Sequence, residues 1–88
     1  MSDWYPSANS WDNKGSYKVK HKFVNGKCTD ILAARASLSD KQTDDDHVHI
    51  YRVGESGQGA VFKDEQGRVY NLSDHDIKMI LSGSRPLF

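Results

Sequence analysis

The run Asp44-Asp45-Asp46-His47-Val48-His49 comes closest to a metal-ligand pattern in this chain. In extended backbone His47 and His49 point to the same side, and two imidazoles with a carboxylate form a set that zinc accepts. No second ligand pair at a recognisable spacing accompanies them. The expectation is therefore a solvated acidic loop entering a strand, with no metal or other cofactor. A second candidate is Cys28 with His21 and Asp30. A thiol beside an imidazole that a carboxylate orients has the logic of a nucleophilic triad. On an inward-facing sheet surface, however, a free cysteine is a small hydrophobe, and an opposed His–Asp pair is ordinary cross-strand pairing. The third is Gly54-x-x-Gly57-x-Gly59. Phosphate-binding glycine loops lead into a helix, whereas a strand is expected here, so this stretch reads as a flexible connection.

The fourth candidate is a binding surface. Lys18, Lys20 and Lys22 alternate along one strand, with Lys14 and Lys27 at its ends and Trp11 nearby. Lysines beside aromatic rings suit single-stranded nucleic acid, which offers phosphates to the first and bases to the second. Alternating lysine also keeps exposed strands soluble and resists edge-to-edge pairing. The residues expected to contact a partner are Trp4, Tyr5, Trp11, Lys18, Lys20 and Lys22.

The elements that position these groups follow from turn and cap chemistry. Asn25-Gly26 between two apolar-containing runs is a strong hairpin signal, because both turn residues must tolerate positive φ. A two-residue loop there pairs Val24 with Lys27, Phe23 with Cys28, His21 with Asp30, Val19 with Leu32 and Tyr17 with Ala34. The apolar residues of 17–23 then face the core and the three lysines face solvent. Residues 28–38 also resemble a capped helix rich in Ala, Leu and Arg, but the hairpin register favours a strand through Leu32 or Ala34. Ser39 to Asp46 reads as a polar loop and 47–53 as a strand. Residues 60–63 and 68–72 form a second hairpin, with Gly67 in a left-handed position. Ser73 caps a final helix of about nine residues. Asp74 and Asp76 lie in its first turn, Leu72 and Ile77 staple it, Ile77, Ile80 and Leu81 are its buried stripe, and Gly83 and Pro86 end it.

Residues 1–16 mix Trp4, Tyr5 and Trp11 with turn formers, and read as an irregular arm either packed on the body or ordered by a partner. Residues 17–88 form one small α+β domain: an antiparallel sheet of about four or five strands in two hairpins, with a short C-terminal helix packed on it. Eighty-eight residues with one cysteine hold no internal disulfide, which points to a reducing, cytoplasmic setting. No stretch resembles a membrane span or a signal peptide. Formal net charge is zero, but residues 1–39 carry six Lys/Arg against three Asp, and residues 40–88 carry six against nine acids. Neutral net charge argues against a strongly electrostatic nucleic-acid binder, and the dipolar layout suits docking onto another protein at least as well. The expected function is a non-enzymatic interaction protein with a protein partner, for example an inhibitor or adaptor such as a phage or mobile-element factor. The alternative is single-stranded nucleic-acid binding through the lysine face.

Overall fold

The computed structural model describes residues 4–6, 10–15, 17–57, 59–85 and 87. Its central hairpin joins β3 (Tyr17–Val24) to β4 (Lys27–Arg35) through Asn25 at φ 53° and Gly26 at φ 78°. Two consecutive positive φ angles define the tight turn whose twist matches paired strands, and glycine at the second position removes the Cβ penalty. From there the chain meanders antiparallel through β5 (Val48–Ser56), β6 (Gly59–Asp64) and β7 (Val69–Ser73). Helix α2 (Asp74–Ser82) follows β7 without a loop.

Two further elements depart from the sequence reading. The aromatic arm is not irregular throughout. It supplies β1 (Trp4–Tyr5) and β2 (Asp12–Lys14), which pair end to end along the outer edge of β3. The sheet among the described residues thus has seven strands, not four or five. Residues 39–46 are not a loop. Ser39 caps α1 (Asp40–Asp45), its hydroxyl accepting from the Gln42 amide while the Gln42 side chain accepts from the Ser39 amide. This reciprocal cap satisfies two orphan donors at once and offsets the poor helix propensity of the aspartates. The expected flexible stretch at 54–59 is also mostly strand, since β5 runs to Ser56 and β6 starts at Gly59. Gly59 permits a close approach, because a Cβ there would lie 2.2 Å from the Leu72 carbonyl oxygen.

The hairpin register holds near the turn and then slips. Val24 pairs with Lys27 and Phe23 with Cys28, but Lys22 pairs with Asp30, His21 with Ile31, Val19 with Ala33 and Tyr17 with Arg35. Thr29 is the extra residue of a β-bulge, and it displaces the three expected pairings by one position. A second irregularity in β5 leaves Val53 unpaired between Arg52, opposite Phe62, and Gly54, opposite Val61.

The inward face carries Val19, Ile31, Ala33, Ile50, Phe62 and Ala60, all fully buried or nearly so. Ile77 and Ile80 of α2 complete this core, and Leu81 packs against it. The Tyr17 hydroxyl reaches the carbonyl oxygens of Ile80 and Arg85, which ties the far end of α2 to β3. Gly83, left-handed at φ 84°, ends the helix against Lys14. The helix therefore spans the concave side of the sheet from β7 to β3. Among the described residues no helix is long and apolar enough to cross a membrane.

Candidate functional site: the hairpin end of the sheet

The two bulges lie side by side at one end of a concavity. β4 and β5 are neighbours, and the extra residues Thr29 and Val53 both fall near their shared end. Bulges bend a strand and re-aim its side chains. Here Arg52, in the same inward phase as Val48 and Ile50, reaches back to donate from Nε to the Cys28 carbonyl oxygen at 2.8 Å. Its guanidinium carbon stands 5.3 Å from the centre of the Phe62 ring. The charge is thus held by a backbone acceptor and an aromatic face, both of which fix its orientation.

Around Arg52 opens a groove of about 680 Å³, with Phe23, Cys28, Ile77 and Leu81 as its apolar walls. Lys27 and Glu55 close one rim as an ion pair, and Asp74 and Lys78 of α2 form another. The Lys27 ammonium, as hydrogen-bond donor and as charge, holds the exposed Glu55 carboxyl below its usual range. Burial pushes the Cys28 thiol up to about 11, so it enters the groove as a neutral, weakly polar group. Exposed apolar side chains gather at this end: Phe23 is 45%, Val24 41% and Val53 47% exposed. Tyr5, 58% exposed, stacks on His21 at 5.3 Å between ring centres, and His21 meets Phe23 edge-on at 5.1 Å. An aromatic row therefore runs from the arm to the groove. Burial lowers the pKa of His21, and Asp12 only partly opposes it.

The expected lysine face is largely not at the surface. Lys18 and Lys20 are 7% and 4% exposed. They face away from the core as the alternation required, but α1 and the arm cover them. Lys18 Nζ donates to Asp40 at 2.7 Å, and Lys20 Nζ sits 4.6 Å from the centre of the Trp11 ring. Trp11 in turn donates to Asp44 at 2.8 Å and packs on His47. Only Lys22 remains near solvent, with Trp4 beside it at 5.9 Å and Asp30 across the ladder. Trp4 also meets His49 edge-on. The described residues of the arm are thus packed on the body. They cover lysines, and in doing so remove two of the expected contact residues from the surface.

The other candidate groups are separated by the bulge. Asp30 lies on the outer face, where its carboxylate accepts from Thr29 and meets His49 Nε2 at 2.9 Å. Cys28 lies on the inner face, and its thiol points to the backbone oxygen of Asp30, not to an imidazole. His21, Cys28 and Asp30 consequently form no triad. His47 and His49 also part company: His47 Nδ1 donates to the Thr43 carbonyl, whereas His49 lies between Asp30 and Glu65. Among the described residues no three His, Cys, Asp or Glu side chains converge as metal ligands. Arg52 is the residue that sequence reasoning passed over. Its signal was a charged side chain in the apolar phase of a strand, at two-residue spacing from Val48 and Ile50.

No protein-family model, curated protein or solved structure matches this chain.

Proposed function

We propose that the protein is a non-enzymatic interaction module that binds another protein with the hairpin end of its sheet, and so acts as an inhibitor or adaptor. The observation that carries this reading is the gathering of Phe23, Val24 and Val53, each more than 40% exposed, at the end of the sheet that holds the groove. Apolar anchors ringed by paired charges are the anatomy of a protein interface. Tyr5 extends that surface along the edge of β3. Trp11, Lys18 and Lys20 serve internal packing in this reading, and Lys22 and Trp4 stand at its margin.

The test is affinity capture of the tagged protein from its native host, with nuclease-treated and untreated lysates run in parallel. A specific protein retained after nuclease, and lost when Phe23→Glu places a charge in the patch, is the expected result. Loss of every specific partner on nuclease treatment would instead favour the nucleic-acid alternative.

A further inference from the structure

We infer that the groove recognises a carboxylate adjoining an apolar side chain on the partner protein, with Arg52 taking the carboxylate and Phe23, Ile77 and Leu81 the apolar group. This rests on the protein-binding reading above and names the chemistry of its central contact. Arginine presents its donors as a planar fork that fits a carboxylate with two parallel hydrogen bonds. In this chain one donor, Nε–H, is spent on the Cys28 carbonyl oxygen. The two terminal amino groups make no hydrogen bond to any side chain or carbonyl among the described residues, and both remain reachable from solvent. Glu55, an acid of the same groove whose carboxyl feels the Arg52 charge, is already engaged by Lys27.

Charge in the groove singles out the same atom group. Lys27 and Glu55 neutralise each other, and Asp74 and Lys78, four residues apart on α2, offset each other. The remaining charge is that of Arg52. One anionic group would balance it, and the adjacent walls are hydrocarbon and aromatic, so a bare inorganic anion would leave them unused. A groove of about 680 Å³ holds a carboxylate and one large side chain together. Nε–H···O=C and the Phe62 ring pre-set the fork, so little ordering is left for the ligand to impose.

The experiment uses the intact protein, labelled with nitrogen-15, and follows the Arg52 Nε–H and groove amide signals by NMR. The probes are N-acetylphenylalanine, its uncharged amide N-acetylphenylalaninamide, a blocked Glu-Phe dipeptide and inorganic phosphate. Both carboxylate probes should shift the Arg52 Nε–H signal and bind about tenfold or more tightly than the amide, the scale of a charge-assisted contact. Arg52→Gln should abolish that preference while leaving the rest of the spectrum dispersed. If Arg52→Gln fails to fold, Arg52→Lys keeps the charge, lacks the fork, and should still weaken both carboxylate probes. Equal binding of acid and amide, undiminished binding by the Arg52 variants, phosphate matching the peptides, or no shift at all overturns the inference. Host-lysate capture separates the two levels. A partner retained by a protein whose groove ignores carboxylates removes only this inference. Carboxylate binding with no protein partner removes the interaction reading and leaves the pocket chemistry standing.

Discussion

Asp64 illustrates how single residues here carry opposite electrostatic loads on one sheet face. Like Arg52 it occupies the inward phase of its strand, and it is only 3% exposed. Burial alone would raise its pKa. Amide donors from Arg68 and Gln66, the Tyr70 hydroxyl and the Arg68 guanidinium outweigh that and hold it below the usual carboxylate range. Asp76 is held low as well, first by the Ser73 amide and hydroxyl and then by Arg85. A depressed native pKa contributes stability that is complete above the unfolded value of about 3.9 and is lost as pH falls through the native one. Thermal midpoints should therefore drop steeply below about pH 4. Asp64→Asn should be less stable at neutral pH and show a shallower acid limb. An unchanged acid limb in that variant would mean that Asp64 titrates normally. Arg52, half-buried, has no such closed circle of partners, and this contrast between two inward-phase charges marks one as structural and the other as available.

At the scale of elements, α1 shows how a short helix survives without propensity. Six residues cannot sustain a helix alone, so the Ser39–Gln42 cap, the Lys18–Asp40 pair and Trp11 on Asp44 must hold it. Ser39→Ala should cost about 1 kcal/mol. In a Trp4→Phe background, where Trp11 is the sole indole reporter, the same change should shift emission to longer wavelength as the lid over Lys18 and Lys20 loosens. Unaltered emission would mean that the cap does not secure α1. The pattern Ser-x-x-Gln was visible in the chain, but three consecutive aspartates and a β-branched threonine masked it. By contrast, α2 and the turns at 25–26 and 64–67 were legible because cap, staple and turn residues all act locally and agree with one another, whereas the tight β5–β6 hairpin was not expected. What could not be read was the bulge at Thr29. Its cause is nonlocal: it lets Cys28 and Ile31 both face inward, where strict alternation would have turned one of them outward. From that single slip follow the failed His21–Asp30 pairing and the placement of Asp30 beside His49. The candidate site was half legible. Tyr5 was in view as a contact residue, whereas Phe23 was expected to face the core and the groove required β4, β5 and α2 to meet.

For the whole molecule, the charge segregation along the sequence is undone by the fold. The basic first half and the acidic second half meet in Lys18–Asp40 and Lys27–Glu55, so the lysines are answered by acids from distant chain. An arm strand and an acidic helix then cover the lysine row from outside. Single-stranded nucleic acid needs several phosphates neutralised together, and its affinity falls steeply with salt when that occurs. With Lys18 and Lys20 buried, Lys22 is the one of the three alternating lysines left near solvent, and exposed Lys27 is already paired with Glu55. The protein should accordingly show no binding of fluorescent oligothymidylate in anisotropy titrations, even at low salt where such contacts are strongest. Tight, steeply salt-dependent binding would require α1 and the arm to lift away, and would return the lysine face to the centre of function. The opposite result removes the nucleic-acid alternative and keeps the hairpin end as the proposed contact surface. There exposed aromatic and aliphatic groups stand among paired charges, and among the described lining residues the net charge is that of a single guanidinium.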